Sequence, residues 1–307
     1  MAIDLCQDSD LEVISVDVNQ QVLEDLAKEH PIQIRVADLS TQEGVTRAIA
    51  DADIVIGSVP YSIGYSMLET VIRAGKNIVD ISYFMEDPFG LDKLAQAHGV
   101  TAVVDCGVVP GMANIILGYH TRKMKVDRYE CYVGGIPKSR DTPLEYLSPF
   151  PVLEVLEEYT GSGRLVEQGK VLVKPMLSET KTIDIDGVGT LACLNSDGLR
   201  TLISTMDIPD MFEKTLRYPG HVEFMRIFKD TGFLNMTPIQ LEGAAVRPID
   251  MTAALLSPLW KYEPGVADLT VMRLIISGVE DGKPVTYTYD MCDEYNPTTD
   301  TLSMAKT

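Results

Sequence analysis

Short apolar runs alternate with helical patterns along the first third of the chain. In the helical stretches the apolar residues recur every three or four positions, whereas the short runs are β-prone and end in acidic or small residues. Strands that alternate with helices indicate parallel strands joined by helical crossovers. The pattern therefore predicts a Rossmann-type, doubly wound α/β sheet. Its strands are predicted at residues 11–19, 32–39, 52–60, 76–82 and 101–105, with helices at 22–28, 65–74 and 91–98 and a further helix capped by Thr41.

The ends of the first three strands carry candidate ligand-binding side chains. Ligands of a doubly wound sheet lie beyond the carboxyl ends of its strands, where Asp17, Asp38 and Ser58 are placed. An acidic residue that closes the second strand of a dinucleotide fold accepts hydrogen bonds from the adenosine ribose, and Asp17 fits that position. The alternative is an aspartate that only starts the turn before Asn19.

One expected feature of a dinucleotide fold is not found near the start of the sequence. A first strand and a glycine-rich phosphate turn should begin about 20 residues before the ribose aspartate. Only sixteen residues precede Asp17, residues 1–6 have the pattern of a helix interior, and no glycine occurs before Gly44. We therefore expect the sequence to begin inside the first helix, without the first strand and the phosphate turn.

The second half of the chain follows a different pattern. Strands and helices are segregated there, and two β-prone runs flank Asp281-Gly282, a strong hairpin signal. This arrangement predicts an α+β domain with an open sheet. We expect a truncated dinucleotide-binding domain at residues 1–121 and a substrate and dimerisation domain at 122–307.

Composition excludes several classes of function. The net charge of −19 argues against nucleic acid or an anionic membrane as a partner, since both select basic surfaces. The five cysteines are scattered without C-x-x-C spacing, so neither a disulfide framework nor a metal site is indicated. No apolar run approaches the roughly 18 residues of a membrane span. We expect a cytoplasmic homodimer or higher homo-oligomer.

Several motifs resemble those of the saccharopine dehydrogenase-like family. The segment DCGVVPGMAN at 105–114 resembles the hinge between the two domains of that family. Two long motifs at 196–202 and 214–221 are most similar to the branch that contains L-lysine 6-dehydrogenase. Val59-Pro60-Tyr61 and the EEY segment at 157–159 match in the same order. Residues 303–307 resemble the segment before a return to the cofactor domain, so we expect a truncation at this end as well.

The resemblance implies a nicotinamide-dependent oxidoreductase that acts on the C–N bond of an amino acid. It places Asp17 at the adenosine ribose, Asp38 near the adenine and Tyr61 toward the substrate. The full set of cofactor-binding residues expected from it is Asp17, Val18, Asp38, Leu39, Ser58, Val59, Pro60, Asp80 and Ser82.

The chemistry of such a reaction suggests the catalytic candidates. An amine must be neutral before hydride leaves its carbon, and an amine with a pKa near 10 needs a proton acceptor. His221 is the candidate acceptor, or else it caps the following helix. Arg217 and Arg200 are candidate clamps for a substrate carboxylate, or they bridge acidic neighbours. Asp197 is expected to cap a helix, and Tyr159 to be either a core or a site residue.

The most specific hypothesis is oxidative deamination of the L-lysine ε-amine. No arginine follows Asp17 to bind a 2′-phosphate, so NAD is expected as the cofactor rather than NADP. Two alternatives stay open, namely a saccharopine dehydrogenase and an inactive fragment or scaffold that lacks the phosphate turn.

Overall fold

In the computed structural model, which describes residues 1–307, the first unit comprises residues 1–107 and contains short parallel strands between helices. This alternation of strands and helices confirms the predicted α/β fold class. The strands are β1 (Ile14–Asp17), β2 (Gln33–Val36), β3 (Ile54–Gly57), β4 (Asn77–Asp80) and β5 (Ala102–Val103), and the helices are α1 (Ala2–Leu5), α2 (Gln20–Glu29), α3 (Gln42–Ala48), α4 (Tyr61–Arg73) and α5 (Asp92–His98).

Local sequence signals fix the helix ends of this unit. The Asn19 side chain accepts a hydrogen bond from the Val22 amide at 3.2 Å and so caps α2. Thr41 caps α3 by accepting from the Gly44 amide at 3.1 Å, as the sequence predicts. Helix α5 ends at Gly99, whose φ of 64° is left-handed.

The strands of the first unit form two separate sheets. Strand β1 pairs in parallel with β2, and β3, β4 and β5 form a second parallel sheet. No strand joins β1 to β3, so the predicted doubly wound sheet is present as two parallel pieces. Apolar residues from both pieces and from α3 and α4 share one core.

The second unit, residues 108–307, is built around a mixed eight-stranded sheet. The strands of this sheet follow the order β15-β14-β6-β11-β10-β9. Strand β7 pairs with β11, and β8 pairs with β7. Only β11 and β6 are parallel to each other. The hairpin β12–β13 stands apart. The strands are β6 (Lys125–Pro137), β7 (Ser162–Glu167), β8 (Lys170–Pro175), β9 (Lys181–Ile185), β10 (Gly189–Asn195), β11 (Asp210–Arg217), β12 (Ile239–Leu241), β13 (Ala244–Val246), β14 (Asp268–Glu280) and β15 (Lys283–Glu294).

Three helices of the second unit bury their apolar faces in one core with strand β10. Leu156, Val222, Ile249 and Trp260 meet Leu194 there, which confirms an α+β arrangement. The turn between β14 and β15 is Asp281-Gly282, both with positive φ, as predicted. The helices are α6 (Met112–Thr121), α7 (Val152–Thr160), α8 (Leu202–Thr205), α9 (Pro219–Asp230), α10 (Pro248–Leu256) and α11 (Ser303–Lys306).

The structure differs from the sequence prediction at two places. The units divide after Gly107, whereas the predicted division follows residue 121, because Ala113 and Leu117 of α6 pack into a core of the second unit. The helix that Asp197 is expected to cap begins only at Leu202, as α8, because Arg200 takes a left-handed φ of 40° and keeps the preceding residues in a turn. None of the helices has the length and apolar character needed to cross a membrane.

Candidate active site

A row of polar side chains crosses the buried face of strand β11. Glu213, Thr215 and Arg217 are alternate residues and therefore point to the same side of the sheet. Each exposes no more than 8% of its surface. Their partners on the adjacent strands are small or apolar, namely Cys131, Val133, Leu194 and Ala192. Burying polar groups in such a setting is unfavourable unless they have partners, so this row marks a candidate site.

Arg217 is tied to α7 and α9 through a tyrosine. Its Nε donates to the Tyr159 hydroxyl at 3.2 Å, and that hydroxyl lies 2.8 Å from His221 Nε2. His221 Nδ1 lies 3.0 Å from the Leu144 carbonyl, which can only accept, so Nδ1 carries the proton. Nε2 is then an acceptor, and Tyr159 donates to it.

Aromatic rings enclose this group. The guanidinium of Arg217 lies 5.0 Å from the ring centroid of Tyr146, within cation–π range. The Tyr146 ring lies 4.5 Å from that of His221 and 5.0 Å from Trp260. The indole N–H of Trp260 is buried without a hydrogen-bond partner. An unpaired donor beside a buried cation suits an anionic ligand.

The charge of Arg217 is not balanced by an ion pair within the chain. Its Nη1 donates to the Leu216 carbonyl at 2.9 Å, and Nε is used by Tyr159. No carboxylate lies within ion-pair distance of Arg217, and its hydrogen bonds engage Nε and Nη1 but not Nη2. Burying a guanidinium without a counter-ion destabilises the folded protein. The arrangement is therefore matched to a carboxylate supplied from outside the chain.

Burial argues against His221 as the proton acceptor predicted from sequence. Burial, with the nearby Arg217 charge, lowers the pKa of His221 to about 3. The ring is fully buried and both nitrogens are engaged. Such an imidazole stays neutral and holds Tyr159 in place, and it does not cap α9.

Glu158, the neighbour of Tyr159, has the properties of a better acceptor. Burial raises the pKa of its carboxyl group, and the charge of Arg217 opposes that rise. Its side chain is half-buried and forms no hydrogen bond or ion pair within the chain. A free carboxylate and a free guanidinium nitrogen thus lie in the same neighbourhood.

Arg200 lies toward the other end of the polar row. It is buried in the turn after β10, and no hydrogen bond joins it to Arg217 or His221. In the same turn Gly198 packs so closely on Glu213 that a Cβ would lie 1.3 Å from Oε2. Asp197 accepts from Arg164 Nε and Nη2 at 2.8 and 2.7 Å, and so pairs with an arginine instead of capping a helix.

The predicted ribose-binding residues lie at the carboxyl ends of β1 and β2. Asp17 ends β1, is exposed, and accepts from the Asn19 amide through Oδ1 at 2.7 Å. Val18 is 70% exposed. The hydrogen bonds that Asp38 accepts from Ser40 lower the pKa of its carboxyl group, and Leu39 packs on the core. Asp17 Oδ2 forms no bond within the chain and suits a ribose hydroxyl.

The residues predicted near the nicotinamide lie at the ends of β3 and β4. Ser58 follows β3, Pro60 precedes α4, and Tyr61 is the first residue of that helix. Asp80 ends β4 and Ser82 follows it. The structure brings the two strand ends together, because the Ser82 hydroxyl accepts from the Val59 amide at 3.0 Å and Asp80 accepts from the Ser82 amide at 2.8 Å.

Sequence reasoning missed Glu213, Thr215, Tyr146 and Trp260. The first two could have been found, since Glu213, Thr215 and Arg217 alternate with Lys214 and Leu216 along a strand. The two aromatic residues are distant in sequence and have no pattern that connects them to Arg217.

Family comparisons cover the whole chain. The model of the saccharopine dehydrogenase NADP binding domain matches residues 1–103, and that of the saccharopine dehydrogenase C-terminal domain matches residues 103–307. No family other than the one suggested by the sequence motifs is needed to account for either unit.

Individual relatives agree with these matches. Saccharopine dehydrogenase [NADP(+), L-glutamate-forming] of Pyricularia oryzae is 26% identical over 211 residues, which are 64% of this chain and 47% of that protein. Alpha-aminoadipic semialdehyde synthase of Bos taurus is 24% identical over 250 residues, 75% of this chain and 27% of that protein. The chain thus spans about half the length, or less, of these curated relatives.

A solved structure supports the same fold. Apo saccharopine dehydrogenase (L-Glu forming) from Saccharomyces cerevisiae superposes with a TM-score of 0.78 at 21% identity, over 99% of this chain and 84% of that one.

Proposed function

The chain belongs to the saccharopine dehydrogenase family, and from that premise we propose that it serves a nicotinamide-dependent oxidoreductase acting on the C–N bond of an amino acid. The observation that carries this proposal is Arg217, a buried guanidinium with a free Nη2 and no ion-pair partner. A substrate α-carboxylate supplies the missing counter-charge.

The Arg217 side chain is preorganised to bind that carboxylate. Its Nε and Nη1 are fixed by Tyr159 and by the Leu216 carbonyl, so little side-chain freedom is lost on binding. His221 fixes Tyr159 in turn. In this role His221 is a positioning residue.

Glu158 favours an amine substrate over one with a second acidic arm. Its carboxylate is free to bind the reacting ammonium and to take its proton, after which hydride can leave the carbon. Burial keeps the Glu213 carboxyl group protonated near neutral pH, so Glu158 is the acidic group available to the amine. These neighbours favour the L-lysine ε-amine, whose oxidation gives an imine that hydrolyses to the semialdehyde and ammonia.

Saccharopine is the second candidate substrate. It is favoured by the relatives' names, since the Pyricularia oryzae, Schizosaccharomyces pombe and Saccharomyces cerevisiae proteins are saccharopine dehydrogenases. Its dicarboxylic arm would need another cationic clamp, for which Arg200 is the buried candidate.

The cofactor that fits these residues is a nicotinamide dinucleotide, which accepts the hydride when bound. Asp17 would hold the adenosine ribose, and the ends of β3 and β4 would line the nicotinamide side. The family model and the NADP(+)-dependent relatives favour NADP over the NAD expected from sequence. Only the exposed carboxylate of Asp17 favours NAD, because its charge would repel the 2′-phosphate of NADP.

Cofactor reduction by the purified chain tests this function. L-lysine and L-saccharopine are each offered with NAD or NADP, and the ultraviolet absorbance of the reduced cofactor is followed. We expect reduction with L-lysine, and its abolition in Arg217→Met. Reduction with saccharopine alone would favour the second candidate. No reduction with either substrate would contradict the proposal and favour the inactive fragment or scaffold.

A further inference from the structure

Residues 139–146, between β6 and α7, lie against the Arg217 group, and we call them the gate segment. The chain is fixed on both sides of this segment, because the backbone amides of Lys138 and Ser148 donate to carbonyl groups elsewhere in the second unit, at 2.9 and 2.8 Å. Within the gate segment the only regular structure is a short 3₁₀ turn at Pro143–Glu145. The gate segment is therefore a loop between two fixed ends.

Two consecutive residues of the gate segment have a strained backbone. Leu144 and Glu145 take left-handed φ angles of 59° and 53°. Residues other than glycine adopt this conformation only at a cost in free energy, and such strain persists where surrounding contacts maintain it, often next to a functional site. The observed position of the gate segment therefore depends on the contacts that hold it.

An ion pair holds the gate segment against the start of α9. Arg140 Nη2 donates to both carboxylate oxygens of Glu145, at 2.8 and 3.0 Å. The Glu145 carboxylate lies beside Gly220 in the first turn of α9, where the helix dipole favours a negative charge. The Arg140 guanidinium lies 5.0 Å from the ring centroid of Tyr218. The Arg140 side chain is 53% exposed, so these contacts can break without disrupting a core.

The last residue of the gate segment, Tyr146, covers the candidate site. Its ring lies 5.0 Å from the Arg217 guanidinium and 4.5 Å from the His221 ring. Tyr146 exposes 2% of its surface and Arg217 exposes 7%, so a carboxylate reaches the guanidinium only when a neighbouring group moves. Thr142 Oγ1 and Trp260 Nε1 are buried without a hydrogen-bond partner. Movement of the gate segment would return these two polar groups to water.

We propose that the gate segment opens and closes over Arg217, and that release of Glu145 from Arg140 and α9 admits the carboxylate of the substrate. The other walls of the group are strands β10 and β11 and helices α7 and α9, which regular hydrogen bonds and core packing hold in place. The gate segment is held by side chains, and its strained φ angles relax when it opens. The identity of the ligand rests on the proposed function, whereas the movement itself does not.

Limited chymotrypsin cleavage after Tyr146 measures the opening, because a buried tyrosine is cut only when the chain around it opens. Arg140→Gln removes the ion pair and the contact with Tyr218, so we expect cleavage about tenfold faster than in the unmutated protein. Arg73→Gln is the matched control, because the Arg73 side chain is 54% exposed and pairs with Glu69 at 2.6 Å in the first unit. Mass spectrometry identifies the cleaved bond, and circular dichroism verifies that both variants are folded.

L-lysine separates the gate from the proposed function. By binding the closed conformation, it should slow cleavage after Tyr146 about tenfold at a concentration of about ten times its Kd. Equal cleavage rates in Arg140→Gln, Arg73→Gln and the unmutated protein would overturn the gate. Lysine binding, seen by Trp260 fluorescence, without any effect on cleavage would also overturn the gate and leave the proposed function intact. Faster cleavage of Arg140→Gln without lysine binding would support the gate and reject this ligand.

Discussion

At the residue scale, the hydroxyl of Tyr159 links the components of the candidate site. It accepts from Arg217 Nε and donates to His221 Nε2 in a space from which water is excluded. A buried polar group that loses its hydrogen-bond partner destabilises the folded protein by about 1–3 kcal/mol, whereas the same loss at an exposed group has little effect. The stability of the site and its orientation therefore depend on the same atom.

Removing that hydroxyl should affect both properties. Tyr159→Phe leaves Arg217 Nε and His221 Nε2 without partners, so we expect a loss of about 1–3 kcal/mol in the free energy of unfolding and weaker lysine binding. Urea denaturation and a lysine titration measure the two effects. Tyr132→Phe, which removes a half-buried hydroxyl bonded to Glu130, is the control. Equal stability of the Tyr159 variant and the control would contradict this role.

Glu213 should make stability depend on pH. Burial raises its pKa from 4.5 to about 8, against a hydrogen bond from Ser196 that lowers it, while Glu158 and Asp197 raise it further. Between pH 4.5 and 8 the unfolded chain releases this proton and the folded chain keeps it, so stability falls as pH rises. The expected slope from this one group is about 1.4 kcal/mol per pH unit.

The isosteric variant Glu213→Gln isolates that contribution. We expect it to be more stable than the unmutated protein at pH 8, with the difference shrinking toward pH 4.5. Denaturation at several pH values provides the measurement. A difference that is constant with pH would show that Glu213 is ionised in the folded protein.

Asp17 is the residue that we propose to influence the cofactor preference. Its carboxylate would bond a ribose hydroxyl and repel a 2′-phosphate, so Asp17→Ser should weaken NAD binding about tenfold and shift the preference toward NADP. Dissociation constants of both dinucleotides measure this change. An unchanged ratio of the two constants would separate Asp17 from the ribose.

At the element scale, the turn between β10 and α8 is the most constrained segment of the site. Gly198 lies against Glu213, and Arg200 has a left-handed φ two residues later. Gly198→Ala would displace the buried carboxyl group of Glu213, and overpacking of this kind costs about 1–3 kcal/mol. Thermal unfolding measures the loss. Gly118→Ala in α6 is the control, because a Cβ there meets open space and neither glycine has a positive φ. An equal loss in both variants would contradict a clash with Glu213.

Periodicity predicted most of the elements, because helical spacing and β-prone runs depend on nearby residues. It located α2, α4, α5 and the β14–β15 hairpin. Arg217 was indicated by the motif at 214–221 and not by periodicity. It did not foresee that β11 would be central, or that Tyr146 and Trp260 would meet Arg217. These contacts depend on strand order and on loops, which local patterns do not encode.

At the scale of the whole molecule, two units carry different parts of the proposed chemistry. The first places Asp17, Asp38, Asp80 and Ser82 at strand ends, and the second buries the Arg217 group in its large sheet.

The proposed activity depends on the binding of an amino-acid carboxylate by Arg217. Trp260 is the only tryptophan in the chain, is fully buried, and lies 5.6 Å from His221, so its fluorescence reports on this group. The decisive measurement is a titration of the chain with L-lysine, with 1,5-diaminopentane as the ligand that lacks the carboxylate. We predict a saturable change with L-lysine, none with the diamine, and none in Arg217→Met. An equal response to both ligands, or an undiminished response in the variant, would show that Arg217 does not bind the substrate carboxylate.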